Sequence, residues 1–392
     1  MLLDKRKDVA DLNKAEKENF LNALLDLKNK VPNKQQIRLS LTEKFPQPTN
    51  RYDEFVLMHM MSFGVDENLT MIAHGGPAFL PWHRAYLRFL ERELQKIKPE
   101  YKDVTIPYWD WTSNRSSGAV WDQEFMGGNG RESDWRVMDG KFAYDSGNWH
   151  LYTAKSVDST YDRPDLCRQF GYRRVNGVIQ KPPTMPTADT VTAVLNEDPY
   201  DAPSWDGNSQ PSFRNRLERT IHDPVHVWVG GWDSTGDQIN RCGAMANGGS
   251  PNDPVFWLHH ANIDRLWADW QLNQEHWDML HKGYQPVTNG PINFNANDPM
   301  LPWYPVVSIT PARVANFYSI DKKGYKYDKY FRKTTKDREE QLMTSIANVA
   351  NVPLEDSGAD DTMINFDSAM SSPDNLVQIL KKPLFPFPGD NL

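Results

Sequence analysis

Apolar residues recur three and four positions apart along five stretches of the chain, and each stretch predicts an amphipathic helix. In DLNKAEKENFLNALLDLKNK the stripe is Leu12, Phe20, Leu24 and Leu27, with Asn13 placed to cap the first turn. Tyr52, Phe55, Val56, His59 and Phe63 make a second stripe, which puts His59 on an apolar side. A third helix starts near Pro81, where His83, Leu87, Leu90 and Leu94 advance by four, three and four. The fourth follows SFRNRLERTIHDPVHVWV: Asp223 and Pro224 read as an N-cap and first-position proline that begin a new helix, and Gly230 with Gly231 end it. In the fifth, SPNDPVFWLHHANIDRLWADWQ, Asp253 caps, Pro254 takes the first position, and His260, Ile263, Trp267 and Trp270 share one face. Four of these helices turn a histidine inward.

Between them the pattern weakens. TIPYWDW reads as extended, and the Gly-, Asp- and Pro-rich residues 113–211 read as loops and short elements on a helical scaffold. Residues 283–305 are Pro- and Asn-rich, and 306–332, β-branched and aromatic, suggest strands. KTTKDREE and EDSGADD then mark a change of composition, so residues 1–332 are expected to form one catalytic domain and 333–392 a C-terminal extension.

Composition narrows the classes. The 14 Trp, 15 Tyr and 17 Phe exclude disorder throughout. With 44 basic against 52 acidic residues and a net charge of -8, there is no basic stripe to track a phosphate backbone, so nucleic acid is not an expected partner. No apolar run approaches the roughly 18 residues a membrane span needs, and MLLDKRKDVADLNK has no apolar signal core, so a cytoplasmic location is expected. Cys167 and Cys242 are too few for a disulfide framework or a thiolate metal site, and one bridge between them stays open.

The histidines change the picture most. Six of the ten fall into two triplets, His59, His74, His83 and His222, His226, His260, each carried by a helix pair or its connecting loop. His222 and His226 stand four apart, so both imidazoles can reach one ion. A zinc-protease reading needs Glu directly after the first histidine, where this chain has Asp223. Burying six imidazoles without partners is costly, and metal coordination resolves that cost. Paired Glu-x-x-His motifs for a di-iron bundle and thiolates for structural zinc are both missing. Imidazole-only ligation suits copper, because neutral donors tolerate cycling between the +1 and +2 states.

HGGPAFLPWHRAYLRFLE, PYWDW, HDPVHVWVGG, NDPVFWLHHANIDRLWADWQ, NDPMLPW and GYKYD, in that order, resemble the motifs of the type-3 dicopper tyrosinases or polyphenol oxidases in their bacterial form. The resemblance implies a mainly α fold, a four-helix-bundle dicopper core with peripheral loops and a few short strands. It implies His59, His74 and His83 on one copper and His222, His226 and His260 on the other, with His259 a supporting or packing residue. His150, His276 and His281 match no ligand motif. Ile72 stands where many fungal and plant members carry the cysteine of a thioether, so that crosslink cannot form. Asp253, Asp264 and Arg265 resemble the family's caps and buried ion pairs, Tyr325 and Tyr327 its closing aromatic motif, and Trp82, Trp109 and Trp111 are core.

The activity implied is ortho-hydroxylation of monophenols and oxidation of ortho-diphenols to ortho-quinones, with two copper ions as cofactor and dioxygen as co-substrate. Glu218 aligns with the family's glutamate that holds a water near the second copper, and Asp223 stands where many active monophenolases carry Asn. Both are candidate proton acceptors for the phenol, whose pKa lies near 10. Val227, Met245 and Asn247 are candidate substrate-lining residues, the last two in the loop GAMANGGS. The resemblance also leaves room for a copper-delivery, caddie-type partner and for co-export with it, and for a tail in which Phe385 or Phe387 plugs the site. Two rivals share the copper unit: a catechol or ortho-aminophenol oxidase, and a haemocyanin-like oxygen carrier. A six-histidine structural zinc protein is a third alternative. The oligomeric state is left open.

Overall fold

The structure, a computed structural model, describes residues 4–33, 46–63, 73–155, 160–161, 164–180, 184–233, 243–273, 276, 296, 298, 314–320 and 324–332. The boundary expected near 333, the tail with Phe385 and Phe387, and Ile72, Cys242 and His281 lie outside these residues.

Asn13 caps the first helix as its position predicts. Its side chain accepts from the Glu16 N–H at 2.9 Å and Glu16 accepts from the Asn13 N–H at 2.9 Å, which satisfies two donors that the helix itself cannot. Helix α1 (Lys14–Lys28) then buries Phe20, Leu24 and Leu27. Helix α2 (Arg51–Phe63) follows the predicted stripe, and α3 (Phe79–Gln95) buries His83, Leu87, Leu90 and Leu94. Helix α4 (Asn114–Val120) and α5 (Ala188–Leu195) interrupt the expected loop region.

The fourth histidine-bearing stretch departs from the prediction. A short α6 (Phe213–Arg216) runs without a break through a π-helical turn, Leu217–His222, into α7 (Asp223–Gly230). Asp223 has helical φ and ψ of -57° and -46° and is therefore no N-cap. Pro224 has no N–H to donate, and the chain accommodates it by widening the preceding turn rather than ending the helix, so the Asp223 N–H reaches the Glu218 carbonyl. Gly231, at φ 76°, ends α7 in a backbone conformation that other residues rarely adopt.

Helix α8 (Val255–Trp270) is buried along its whole length and forms the centre of the bundle. Asp253 accepts from the Val255 N–H at 3.2 Å and grips Arg168 with both oxygens, at 2.7 and 2.8 Å. Trp257 of α8 donates to the Tyr52 hydroxyl of α2 at 2.8 Å, and Tyr86 of α3 donates to the Phe55 carbonyl at 2.5 Å. Trp82, Trp109 and Trp111 are buried, as expected.

Short strands sit at the periphery. β1 (Asp4–Arg6) pairs in parallel with a strand near the other end of the described chain; β2 (Ala154–Lys155) pairs with β3 (Thr160–Tyr161); and β4 (Arg173–Val175) pairs with β5 (Val178–Ile179) and β6 (Trp232–Asp233). The strand-rich segment expected over 306–332 contains, among the described residues, a single strand, β7 (Tyr325–Tyr327), the partner of β1. Val314–Phe317 is instead a 3₁₀ turn. Val314 and Phe317 are both buried, and a spacing of three puts two side chains on one side of a helical turn but on opposite faces of a strand. Among the described residues no helix is long and apolar enough to cross a membrane.

A buried charge cluster ties these strands to the bundle. Asp264 of α8 accepts from Arg84 Nε at 2.5 Å, Arg6 Nη1 at 3.0 Å, and the hydroxyls of Tyr325 and Tyr327 at 2.6 Å each. Burial raises the Asp264 carboxyl's pKa, but Arg84 and Arg6 outweigh it and keep the group below the usual carboxylate range. Arg6 also forks onto Glu91 at 2.7 and 2.9 Å. Arg265 reaches Asp110 at 3.1 Å.

Candidate metal centre

The helices bring seven imidazoles into two adjoining clusters. His59 comes from α2, His74 from the segment before α3, and His83 from α3; their ligand atoms lie within 4.8 Å of one another. His222 and His226 flank the junction of the π turn and α7, His259 and His260 sit in the first half of α8, and their ligand atoms also fall within 4.8 Å. The clusters touch: the His83 and His260 rings stack at 4.1 Å and 13°, and His74 lies 5.7 Å from His222. His150 is exposed, and His276 stacks on Trp270 at 4.0 Å with Asp198 at 3.1 Å, away from both clusters.

Hydrogen bonds decide which nitrogen of each ring is free. The Nδ1 of His59 donates to the Gly248 carbonyl at 2.7 Å, that of His83 to the Phe79 carbonyl at 2.8 Å, and that of His226 to the Met245 carbonyl at 2.7 Å. A carbonyl oxygen only accepts, so these rings carry their proton on Nδ1 and keep a lone pair on Nε2. His222 Nδ1 is held by the Asp223 carboxylate at 2.8 Å. The Nε2 atoms of His59, His83 and His222 are buried and have no protein partner, and His226 Nε2 faces His260 Nε2 at 3.2 Å. Orphaned lone pairs converging from rings whose other nitrogen is fixed are the arrangement a metal centre requires. The donors are all neutral imidazoles with no thiolate or carboxylate among them, a set that fits copper.

Burial keeps every ring neutral. The pKa of His59 falls to about 3 and that of His226 to about 4, and those of His74, His83, His222, His259 and His260 are pushed well below the ordinary histidine range by burial, with neighbouring imidazoles adding to the shift.

The loop from Gly243 to Ser250 therefore does a job that the sequence did not reveal: its backbone orients one histidine of each triad. Val227 and Met245 are buried, and Asn247, half-buried, accepts from the Gly249 N–H at 2.8 Å. The loop packs directly on the end of α7, where a side chain at Gly230 would meet the backbone of Ala246. Glu218 links the triads. One of its oxygens accepts from the Gly75 N–H at 2.6 Å, beside His74, and the other from Arg214 Nη1 at 3.0 Å. Arg214 is in turn forked onto Asp201 at 2.8 and 2.9 Å. Arg219 reaches the second Asp223 oxygen at 3.3 Å. Burial raises the pKa of both Glu218 and Asp223, and Arg214 and Arg219 respectively pull the other way. The Arg214 to Glu218 pair was legible as an i, i+4 pair; the orienting carbonyls were not, since no side chain encodes them.

Two abutting buried histidine clusters in a helical bundle are consistent with a binuclear metal centre of the tyrosinase type. The profile of the common central domain of tyrosinase matches residues 49–273, and the chain belongs to that family of copper oxidases, which act on phenolic substrates with dioxygen. It is 38% identical to a tyrosinase of Streptomyces glaucescens over 76% of this chain and 92% of that protein. It is 34% identical to the grixazone synthase of Streptomyces griseus over 81% of this chain and 98% of that protein. In fold it resembles the polyphenol oxidase of Thermothelomyces thermophila, with a TM-score of 0.53, 19% identity, and coverage of 84% of this chain and 89% of that one.

Proposed function

We propose that the chain ortho-hydroxylates monophenols and oxidises ortho-diphenols to ortho-quinones with dioxygen, at two copper ions held by His59, His74, His83 and by His222, His226, His260. The observation that carries this reading is the convergence of buried, unpartnered imidazole nitrogens from two abutting triads. Copper at these positions would bind and activate dioxygen and polarise the phenol oxygen.

The protein's own contribution is orientation and proton handling. Gly248, Phe79 and Met245 carbonyls and the Asp223 carboxylate hold four rings in one tautomer. Glu218, buried, and Asp223, half-buried, both on the second-triad side, are the groups placed to accept the phenol proton, directly or through a water. Val227, Met245 and Asn247, next to His226 in chain or space, form the substrate-facing wall in this reading. Residues 333–392 form an extension outside the catalytic domain; removing 334–392 and finding higher turnover supports a plug, and unchanged turnover eliminates it.

A second reading, an oxidase of catechols or ortho-aminophenols without monophenolase activity, has one observation in its favour. Each oxygen of Glu218 and Asp223 already accepts from a protein donor, and those hydrogen bonds favour the ionised carboxylates and so oppose uptake of a further proton. Oxygen uptake by the copper-loaded chain with a para-substituted phenol and its matching catechol separates the two. Uptake with the phenol, after a lag that trace catechol shortens, is the expected result; uptake with catechol alone overturns the monophenolase reading.

A further inference from the structure

The second cluster contains one imidazole more than three-coordinate ligation uses. His259 is fully buried, and both of its ring nitrogens lack a hydrogen-bond partner. Every other orphaned nitrogen in these clusters belongs to one of the six histidines assigned above. A packing histidine in an apolar helix core normally finds a partner for at least one nitrogen, because a buried polar group without one keeps its full desolvation cost. His259 instead stacks beside His222, with centroids 5.3 Å apart and rings 24° from parallel, and meets His226 edge-on at 4.7 Å. Its donor atom is among the four that lie within 4.8 Å of one another.

His259 and His260 are consecutive on one helix, so their rings diverge, with centroids 5.1 Å apart at 74°. The His260 ring is stacked on His83 of the first triad. The His259 ring faces Trp111, at 5.1 Å, on the other side, and Trp111 Nε1 is itself buried and unpartnered. His222 and His226 can therefore complete a three-imidazole seat with either neighbour. We propose that His259 is a loading ligand: an incoming copper ion is first held by His222, His226 and His259, then passes to His222, His226 and His260 by exchange of one neutral imidazole for the next. The exchange forms one imidazole–metal bond, to His260, as it breaks another, to His259, while His222 and His226 stay bound. The inference rests on the two-metal reading given above.

The test is uptake of copper(I) by the metal-free full-length chain from a chromophoric chelator, followed in time and in final stoichiometry, for the wild type, His259→Gln and His259→Ala. The expected result is two ions bound by the wild type, and in both variants an unaltered first phase with a second phase slowed about tenfold or more. Free imidazole should restore the second phase in His259→Ala, which a purely structural role would not allow. Uptake in His259→Gln that matches the wild type in both phases overturns the proposal and leaves the two-metal reading standing. A wild-type chain that binds fewer than two ions overturns the two-metal reading itself. If His259→Ala does not fold, His259→Gln alone decides.

Discussion

The two triads hold similar rings by different means. The first is assembled from three separate places, α2, the segment before α3, and α3 itself, and two of its rings are oriented by backbone carbonyls, Gly248 for His59 and Phe79 for His83. The second takes two rings from one continuous helix with a π turn. It adds carboxylates at Asp223 and Glu218 and has a surplus imidazole in His259. A carbonyl can only fix a ring, whereas a carboxylate can also take a proton. In the function proposed above, that places any proton acceptor on the second side.

The largest effect should come from breaking either triad. His59→Ala and His226→Ala are each expected to lower oxygen uptake with a catechol by more than about a thousandfold, with bound copper falling from two ions toward one. Metal analysis beside oxygen electrode traces checks this, and a variant that keeps turnover with one ion breaks the equivalence of the two centres.

Glu218→Ala comes next, because it leaves the Gly75 N–H unpaired and removes one of the two carboxylates on buried Arg214, which keeps its Asp201 fork. Unfolding by denaturant should show a loss of about 1 to 3 kcal/mol. Glu218→Gln, which keeps the acceptor for Gly75, should lose less; equal losses would mean that the link between the triads carries no stability.

Acid should act on both centres alike. His59 and His226, with folded pKa values of about 3 and about 4, are neutral when folded and gain a proton on unfolding below their ordinary 6.5. The unfolded state thus binds more protons there. Stability of the metal-free chain is complete above pH about 6.5 and falls as the pH drops toward 4, by about 1.4 kcal/mol per pH unit for each ring. These two rings alone contribute about 3 kcal/mol between pH 6.5 and 5. A flat denaturation profile over that range would contradict burial of the rings in the neutral form.

Asp223→Ala is the mildest and the most specific. It removes the partner of His222 Nδ1 and should weaken binding of the second ion by about 10- to 100-fold while the first is bound as before. Equal weakening of both ions, read from a copper(I) competition titration, would remove the asymmetry.

The first, second, third and fifth helices were readable because their apolar stripes are long, and the first also because its cap, Asn13 with Glu16, is local; in the fifth the N-cap is Pro254, one residue past the predicted Asp253, which reaches the Val255 N–H from outside the helix. Five of the clustered histidines had a local signal, His59, His83 and His260 in apolar stripes and His222 with His226 four apart, whereas His74, in the segment before α3, came from the motif HGGPAFLPWHRAYLRFLE. Asp223 and Pro224 misled because the same two residues suit a helix start and a π turn equally well. In the structure the preceding helix continues into them, and the missing Pro224 N–H is met by a wider turn instead of a fresh start. What local pattern could not carry was anything made by backbone or by distant chain, such as the Gly248 and Met245 carbonyls or the Arg214 to Asp201 fork.

The pairing of β1 with β7 has a consequence for the order of assembly. Asp264 lies one turn beyond His260, and its four donors come from residues 6, 84, 325 and 327, so the first and last are 321 positions apart. A chain emerging from the ribosome carries α8 for some 55 to 65 residues of further synthesis before the two tyrosines arrive, a delay on the order of 3 to 13 seconds at ordinary elongation rates. During that interval Asp264 has only its arginine partners, and the helix that presents His259 and His260 is not yet clasped. The strand pair is thus a clasp that closes late, and it sets the earliest moment at which the second metal seat can have its final shape.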